Sequence, residues 1–190
     1  MRRRARQGQE ERPAARSRWR RLLWIAGPLL VLLIAFWAPF VWFPRSDKPG
    51  TADVVFVLGG TNMNVRVRTG ADLVRQGHAP YLVVSRRDPD HRCEEFADLA
   101  GTEMECDRPE PFTTQGEARL IARLAREHGW HSIIVVVSDE QATRARVRLR
   151  RCWSGGLRVV TVSTPLTSVP YSTLYETAAM VKAEVLQRGC

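Results

Sequence analysis

Residues 53–60 read Asp-Val-Val-Phe-Val-Leu-Gly-Gly. An apolar run of strand length that ends at glycine is typical of a strand buried on both faces and followed by a turn into a helix. Three similar runs follow, separated by helical patterns that mostly end at glycine. We predict strands at Val54–Leu58, Tyr81–Ser85, Ile133–Ser138 and Leu157–Val162, and helices at Val65–Gln76, Thr114–His128, Glu140–Trp153 and Ser172–Gln187. This alternation predicts an α/β fold with a doubly wound, mainly parallel sheet.

An uncharged stretch of 22 residues, 22–43, precedes this region. As a helix it would span about 33 Å, enough to cross a hydrocarbon core of about 30 Å. A cleaved signal peptide usually has a shorter apolar core and a small-x-small cleavage site, and a buried core helix is rarely apolar on all sides. We therefore expect one transmembrane signal anchor at 22–43, followed by a linker at 44–51 and an extracytoplasmic domain at 52–190.

The charge distribution supports this topology. Nine arginines and two glutamates give residues 1–21 a charge of +7, which leaves +2 for the rest of the +9 chain. The positive-inside rule makes residues 1–21 a basic cytoplasmic tail and the protein a single-pass cell-membrane protein. A nearly neutral external domain without interleaved aromatic and basic residues argues against nucleic acid as a partner.

An extracytoplasmic location permits disulfides. Cys93 and Cys106 bracket a polar loop without an evident regular structure and are our first disulfide candidates. Cys152 and Cys190 can form a second bridge, although four cysteines allow three connectivities. We expect no metal site, since the chain has neither a C-x-x-C motif nor a histidine pair at ligand spacing.

Ligands of parallel α/β sheets bind outside the carboxyl ends of the strands. Gly59 and Gly60 follow the first strand, where backbone N–H groups and a helix N-terminus favour an anion, although a simple tight turn explains them equally well. We expect an anionic group such as phosphate to bind at this turn. The ligand-binding candidates at the strand ends and adjoining helices are Gly59, Gly60, Asn62, Arg66, Ser85, Thr114, Glu117, Ser138, Gln141 and Arg144.

Some of these candidates also have structural interpretations. Thr114 as N-cap with Glu117 three residues later forms a capping box, and Ser138 can cap the next helix. We expect Arg148 to Arg151 to lie on a solvated face, with Arg144 nearer the crevice. The chain has no nucleophile elbow and no Ser/His/Asp order, so the sequence indicates neither a catalytic residue nor a cofactor.

Several of these segments, in order, resemble the domain shared by the YdcF, SanA and ElyC family. The resemblance covers residues 52–163 and also a single N-terminal anchor. It implies a Rossmann-like domain, a role in envelope integrity through peptidoglycan or carrier-lipid metabolism, and a nucleotide-type ligand. The matching segments are Asp53–Gly60, Arg66, Leu73–Gly77, Tyr81–Ser85, Thr114–Ala118 and Val136–Ala145.

This chain departs from the family pattern at three points. Arg86 and Arg87 replace the usual glycines after Ser85, residues 114–117 differ from Thr-x-Glu-Asn, and Gln141 replaces a histidine. An amide does not titrate, so Gln141 cannot act as a general base. We therefore expect binding of a small phosphorylated or nucleotide-like envelope metabolite. The alternatives are a hydrolase or transferase acting on an envelope precursor, and a non-catalytic envelope scaffold.

Overall fold

A computed structural model describes residues 23–32, 35, 45–60, 62–87, 103–163, 169–185 and 188–190. The chain divides into one unit ending at Ala38 and another from Pro39 to Cys190. In the first unit, residues 23–32 are helical and exposed. No helix in the described ranges is both long and apolar enough to cross a membrane. The predicted tail and half of the predicted anchor lie outside the described residues, so both stay predictions.

The second unit contains one five-stranded sheet in which every pairing is parallel. Its strand order, β3-β2-β1-β4-β5, places the most apolar strands in the centre. The strands are β1 (Val54–Val57), β2 (Tyr81–Ser85), β3 (Glu103–Asp107), β4 (Ser132–Ser138) and β5 (Gly156–Val162). The expected α/β doubly wound fold is thereby confirmed.

Helices cover both faces of the sheet, which explains why the central strands are continuous apolar runs. On one face, Val67 and Ala71 pack against Val55 and Val57. On the other, residues such as Ile121 pack among the alternate side chains of the same strands. The helices are α1 (Met63–Arg75), α2 (Thr114–His128), α3 (Ala142–Cys152) and α4 (Val169–Val185), with a short 3₁₀ helix at Asp139–Gln141.

Strand β3 contradicts the prediction of an irregular loop as far as Cys106. Its sequence, Glu-Met-Glu-Cys-Asp, lacks an apolar run because an edge strand has a neighbour on one side only. Cys106 pairs with Val84 of β2 and packs against the buried cluster on the α1 face.

The predicted linker is also more ordered than expected, because residues 45–47 lie along the free edge of β5. Asp47 N–H donates to the Val159 carbonyl, and Val159 N–H donates to Asp47 Oδ2, both at 2.8 Å. Ser46 Oγ accepts the Thr161 N–H at 3.1 Å, and Arg146 binds Asp47 at 2.8 Å. We call residues 45–47 the edge segment.

A disulfide joins Cys152, the last residue of α3, to Cys190, with Cα atoms 4.8 Å apart. This confirms the second bridge considered from the sequence. Cys106 is also disulfide-bonded. Its expected partner, Cys93, lies outside the described residues, and that pairing stays a prediction.

Candidate functional site

A crevice opens at the point where the strand order reverses. β1 and β4 are neighbours, but the chain continues from them toward opposite edges of the sheet, and this fold class binds ligands outside the strand ends at such a point. A cavity of about 230 Å³ lies there, and a second of about 400 Å³ shares Gly59, Gly60 and Phe112 with it. The first is lined by the predicted residues Gly59, Gly60, Thr114, Glu117, Gln141 and Arg144, and the second also by Ser85.

Glu117 is a buried carboxyl group that lines the first cavity, with 4% of the residue exposed. Its Oε1 accepts the Gly59 N–H at 2.6 Å and the Ser85 hydroxyl at 2.7 Å. Burial raises the pKa of Glu117, and these two hydrogen bonds, together with Arg144 and Arg66, oppose the rise only in part. Glu117 therefore retains a proton to higher pH than an exposed glutamate does.

Arg66 stabilises the glycine turn from behind and is fully buried. Its Nη1 donates to the Leu58 carbonyl at 2.7 Å, the Gly59 carbonyl at 3.1 Å and Gln141 Oε1 at 3.2 Å. Burial lowers the pKa of Arg66. Gly60 has a φ of +132°, and a Cβ there would lie 2.9 Å from Arg66 Nη2 and from Gln141 Nε2, so the position requires glycine.

Arg144 forms a bidentate ion pair with Glu176 of α4. Nε and Nη2 donate to the two carboxylate oxygens at 2.6 and 2.8 Å, and Nη1 donates to Thr114 Oγ1. The two side chains are only 12% and 4% exposed. Burial alone would lower the pKa of Arg144, but Glu176 raises it above its ordinary value. Arg144 thus lies at the crevice, as predicted, with its charge largely balanced.

The lining of the two cavities is strongly basic. Among the described residues, five basic side chains and one carboxyl group, that of Glu117, line them. Concave surfaces lined by charges of one sign attract ligands of the opposite sign. The basic residues are Arg86, Arg87, Arg144, Arg148 and Lys182.

Three predicted residues line neither cavity. Arg66 lies behind the turn. Asn62 occupies the N-cap position of α1 in the left-handed conformation, with a φ of 55° and no capping bond from its side chain. Ser138 is fully buried at the end of β4, and its hydroxyl has no hydrogen-bond partner in the described part of the chain.

Neither of the two predicted side-chain caps, Thr114 and Ser138, forms. Thr113, not Thr114, is the N-cap of α2 and accepts the Gly116 N–H. This frees the Thr114 hydroxyl for Arg144 and the Glu117 carboxylate for Gly59 and Ser85. Ser138 precedes the 3₁₀ helix without a capping bond from its side chain.

The prediction of a solvated face at Arg148 to Arg151 holds for Arg150, which is exposed, but is wrong for Arg148 and Arg151. Arg148 is only 4% exposed and lines the first cavity, and Arg151 Nη1 donates to the Ala183 carbonyl at 2.8 Å. The physical reason is that α4 packs against this face of α3.

Sequence reasoning missed several side chains at the crevice, among them Glu176, Lys182 and Phe112. Glu176 is the first charged residue of an otherwise weakly polar α4, which is the one sequence signal that distinguished it. Phe112 lies at the boundary of both cavities, with the Arg87 guanidinium 5.1 Å from its ring centre.

In the described ranges, no group of three or more His, Cys, Asp or Glu side chains is arranged to hold a metal ion. Neither a protein-family model nor a curated protein matches this chain.

Proposed function

We propose that the chain binds a small phosphorylated or nucleotide-like ligand in the crevice. The excess of basic side chains over carboxyl groups in the cavity lining carries this proposal. Two of these basic residues, Arg87 and Lys182, are exposed and can approach a ligand from solvent. The polar groups of Thr114 and Gln141 line the first cavity and would orient such a ligand.

Lys182 allows a matched test because Lys48 is the only other lysine in the chain. Lys48 is also exposed but does not line either cavity. We would titrate inorganic pyrophosphate into the full chain in detergent and measure binding by calorimetry. Lys182→Ala should weaken binding about tenfold, or about 1.4 kcal/mol, whereas Lys48→Ala should leave it unchanged. Equal effects, or no binding to the unaltered chain, contradict the proposal.

A nucleoside diphosphate, used as a second probe, tests the nature of the ligand. If it binds more tightly than pyrophosphate, and Phe112→Ala removes the difference, Phe112 contributes contacts to the base at the boundary of the two cavities. If both probes bind equally, the phosphate groups alone determine affinity. If neither binds, the alternative of a non-catalytic envelope scaffold is favoured.

We further propose that the domain acts outside the cytoplasm in envelope maintenance, attached to the membrane by residues 22–43. The uncharged stretch and the arginine-rich tail support this location. The Cys152–Cys190 disulfide supports it independently, because such bridges persist in oxidising compartments. Alkaline phosphatase fused after Cys190 should be active, since that enzyme requires export. An inactive phosphatase with a fluorescent cytoplasmic reporter at the same position contradicts this topology.

A further inference from the structure

A carboxyl group is an unexpected neighbour for a phosphorylated ligand. Glu117 alone among the described lining residues of the two cavities is acidic. When ionised, it repels an anion that the surrounding basic residues attract. When protonated, it offers that anion a hydrogen-bond donor.

The hydrogen bonds of Glu117 determine where its proton is held. The Ser85 hydroxyl and the Gly59 N–H both donate to Oε1. Oε1 is therefore occupied as an acceptor, and the proton of a neutral Glu117 belongs on Oε2. In the described part of the chain, four groups face this carboxyl: the Ser85 hydroxyl from β2, the Gly59 N–H after β1, and the Arg66 and Arg144 guanidiniums from α1 and α3.

Both arginines are held by other partners. Arg66 Nη1 donates to two carbonyls and Gln141, and Arg144 forms the bidentate pair with Glu176. The groups that bond Glu117 directly are thus neutral, and burial raises its pKa. A carboxyl whose pKa is raised in this way keeps its proton, and can donate it, up to a higher pH than an exposed glutamate can.

We propose that Glu117 is the general acid for cleavage of a phosphate ester bound in the crevice. This inference rests on the proposed function, because the ester must first bind there. It names the substrate class as a phosphate ester whose leaving oxygen approaches Glu117.

The step balances as a hydrolysis. Water attacks phosphorus, the bond from phosphorus to the leaving oxygen breaks, and Glu117 gives its proton to that oxygen, which departs as an alcohol. One proton of the attacking water stays on the phosphate product. The other returns through solvent to the Glu117 carboxylate and restores the acid.

A general acid has a diagnostic dependence on the leaving group. Phenyl phosphate has a poor leaving group that needs a proton, whereas 4-nitrophenyl phosphate has a good one that departs without it. We would measure turnover of both by the full chain in detergent. Glu117→Gln should lower phenyl phosphate turnover about 100-fold and affect 4-nitrophenyl phosphate far less.

Glu127→Gln is the matched control. It makes the same change on the same helix, at an exposed residue outside both cavities. We expect it to leave turnover of both probes unchanged. Because glutamine retains the size of Glu117 and the acceptor oxygen for Ser85 and Gly59, the variant should fold, and a thermal denaturation curve checks this.

A pH profile of the unaltered chain gives a measurement that does not depend on any variant. Turnover of phenyl phosphate should fall as pH rises through the pKa of Glu117, because the protonated form is the active one.

Two results would overturn the assignment. One is an equal loss of turnover on both probes in Glu117→Gln, and the other is a pH profile without this falling limb.

The two proposals fail separately. A chain that binds inorganic pyrophosphate but hydrolyses neither ester overturns the general acid and leaves the binding function intact. A chain that neither binds pyrophosphate nor hydrolyses the esters contradicts both.

Discussion

Two buried glutamates differ in their hydrogen-bond donors: Glu117 lines the crevice, and Glu176 of α4 binds Arg144, which also lines it. Glu117 and Glu176 are each only 4% exposed. Glu176 receives two charge-assisted bonds from Arg144, whereas Glu117 receives bonds from a hydroxyl and a backbone N–H. Because the two residues are equally buried, they differ in the charge of their hydrogen-bond donors and not in their exposure. An arginine supplies an opposite charge and joins two helices, while neutral donors leave a carboxyl that readily takes up a proton.

The largest expected loss of stability follows from breaking the ion pair between Arg144 and Glu176. Arg144→Met leaves Glu176 buried without its partner, which should lower the free energy of unfolding by about 3–5 kcal/mol. Urea denaturation followed by tryptophan fluorescence measures this. The double variant Arg144→Met with Glu176→Leu removes both charges and should recover most of the loss. If the double variant is as unstable as the single one, the pair is not what joins α3 to α4.

Removal of a neutral donor should have a smaller effect. Ser85→Ala deletes the hydroxyl that donates to Glu117, at a cost of about 1.5–3 kcal/mol when the carboxylate is ionised. Since this bond lowers the pKa of Glu117, its loss should raise that pKa further. The loss of stability, measured by urea denaturation over a pH series, should thus be greater above the pKa of Glu117 than below it. An equal loss at every pH contradicts the assigned role.

Glu117→Gln tests whether folding raises the pKa of Glu117. The folded pKa of Glu117 is raised, so its contribution to stability is fully present below the unfolded value of about 4.3 and is lost as pH rises through the folded pKa. Relative to Glu117→Gln, the unaltered chain should lose about 1.4 kcal/mol per unit of pKa difference across that window. Parallel stability curves for the two proteins from pH 4 upward contradict the raised pKa.

The smallest effect is expected at an exposed ion pair on α2. Arg123 lies 3.4 Å from Glu127, and both side chains are about half exposed. Glu127→Gln should change the free energy of unfolding by less than about 0.5 kcal/mol in the same urea assay. A loss comparable with that of Arg144→Met would mean that burial does not distinguish the two pairs.

The sequence predicts the centre of the fold better than its edge. β1, β2, β4 and β5 are recognisable because burial between helices requires apolar residues. β3 is not, because its half-exposed position accepts Glu105 and Asp107.

The sequence predicts which residues reach the crevice better than it predicts their partners. Topology alone brings the ends of β1, β2 and β4 together, and most candidates there line a cavity. Arg144 and Glu176 are 32 residues apart in the sequence, and their pairing depends on the orientation of α4 against α3. No local sequence pattern predicts that orientation. The sequence places the N-cap at Thr114 instead of Thr113 because the two neighbouring residues are both threonine. Only the backbone conformation determines which of them caps the helix.

The edge segment has a consequence for association between chains. An open strand edge offers unpaired N–H groups to any extended peptide, which is a common route to aggregation. On β5, the N–H groups of Val159 and Thr161 already bond Asp47 and Ser46. Deleting residues 45–47 would therefore expose a template for intermolecular strand addition, even though the crevice would remain unchanged.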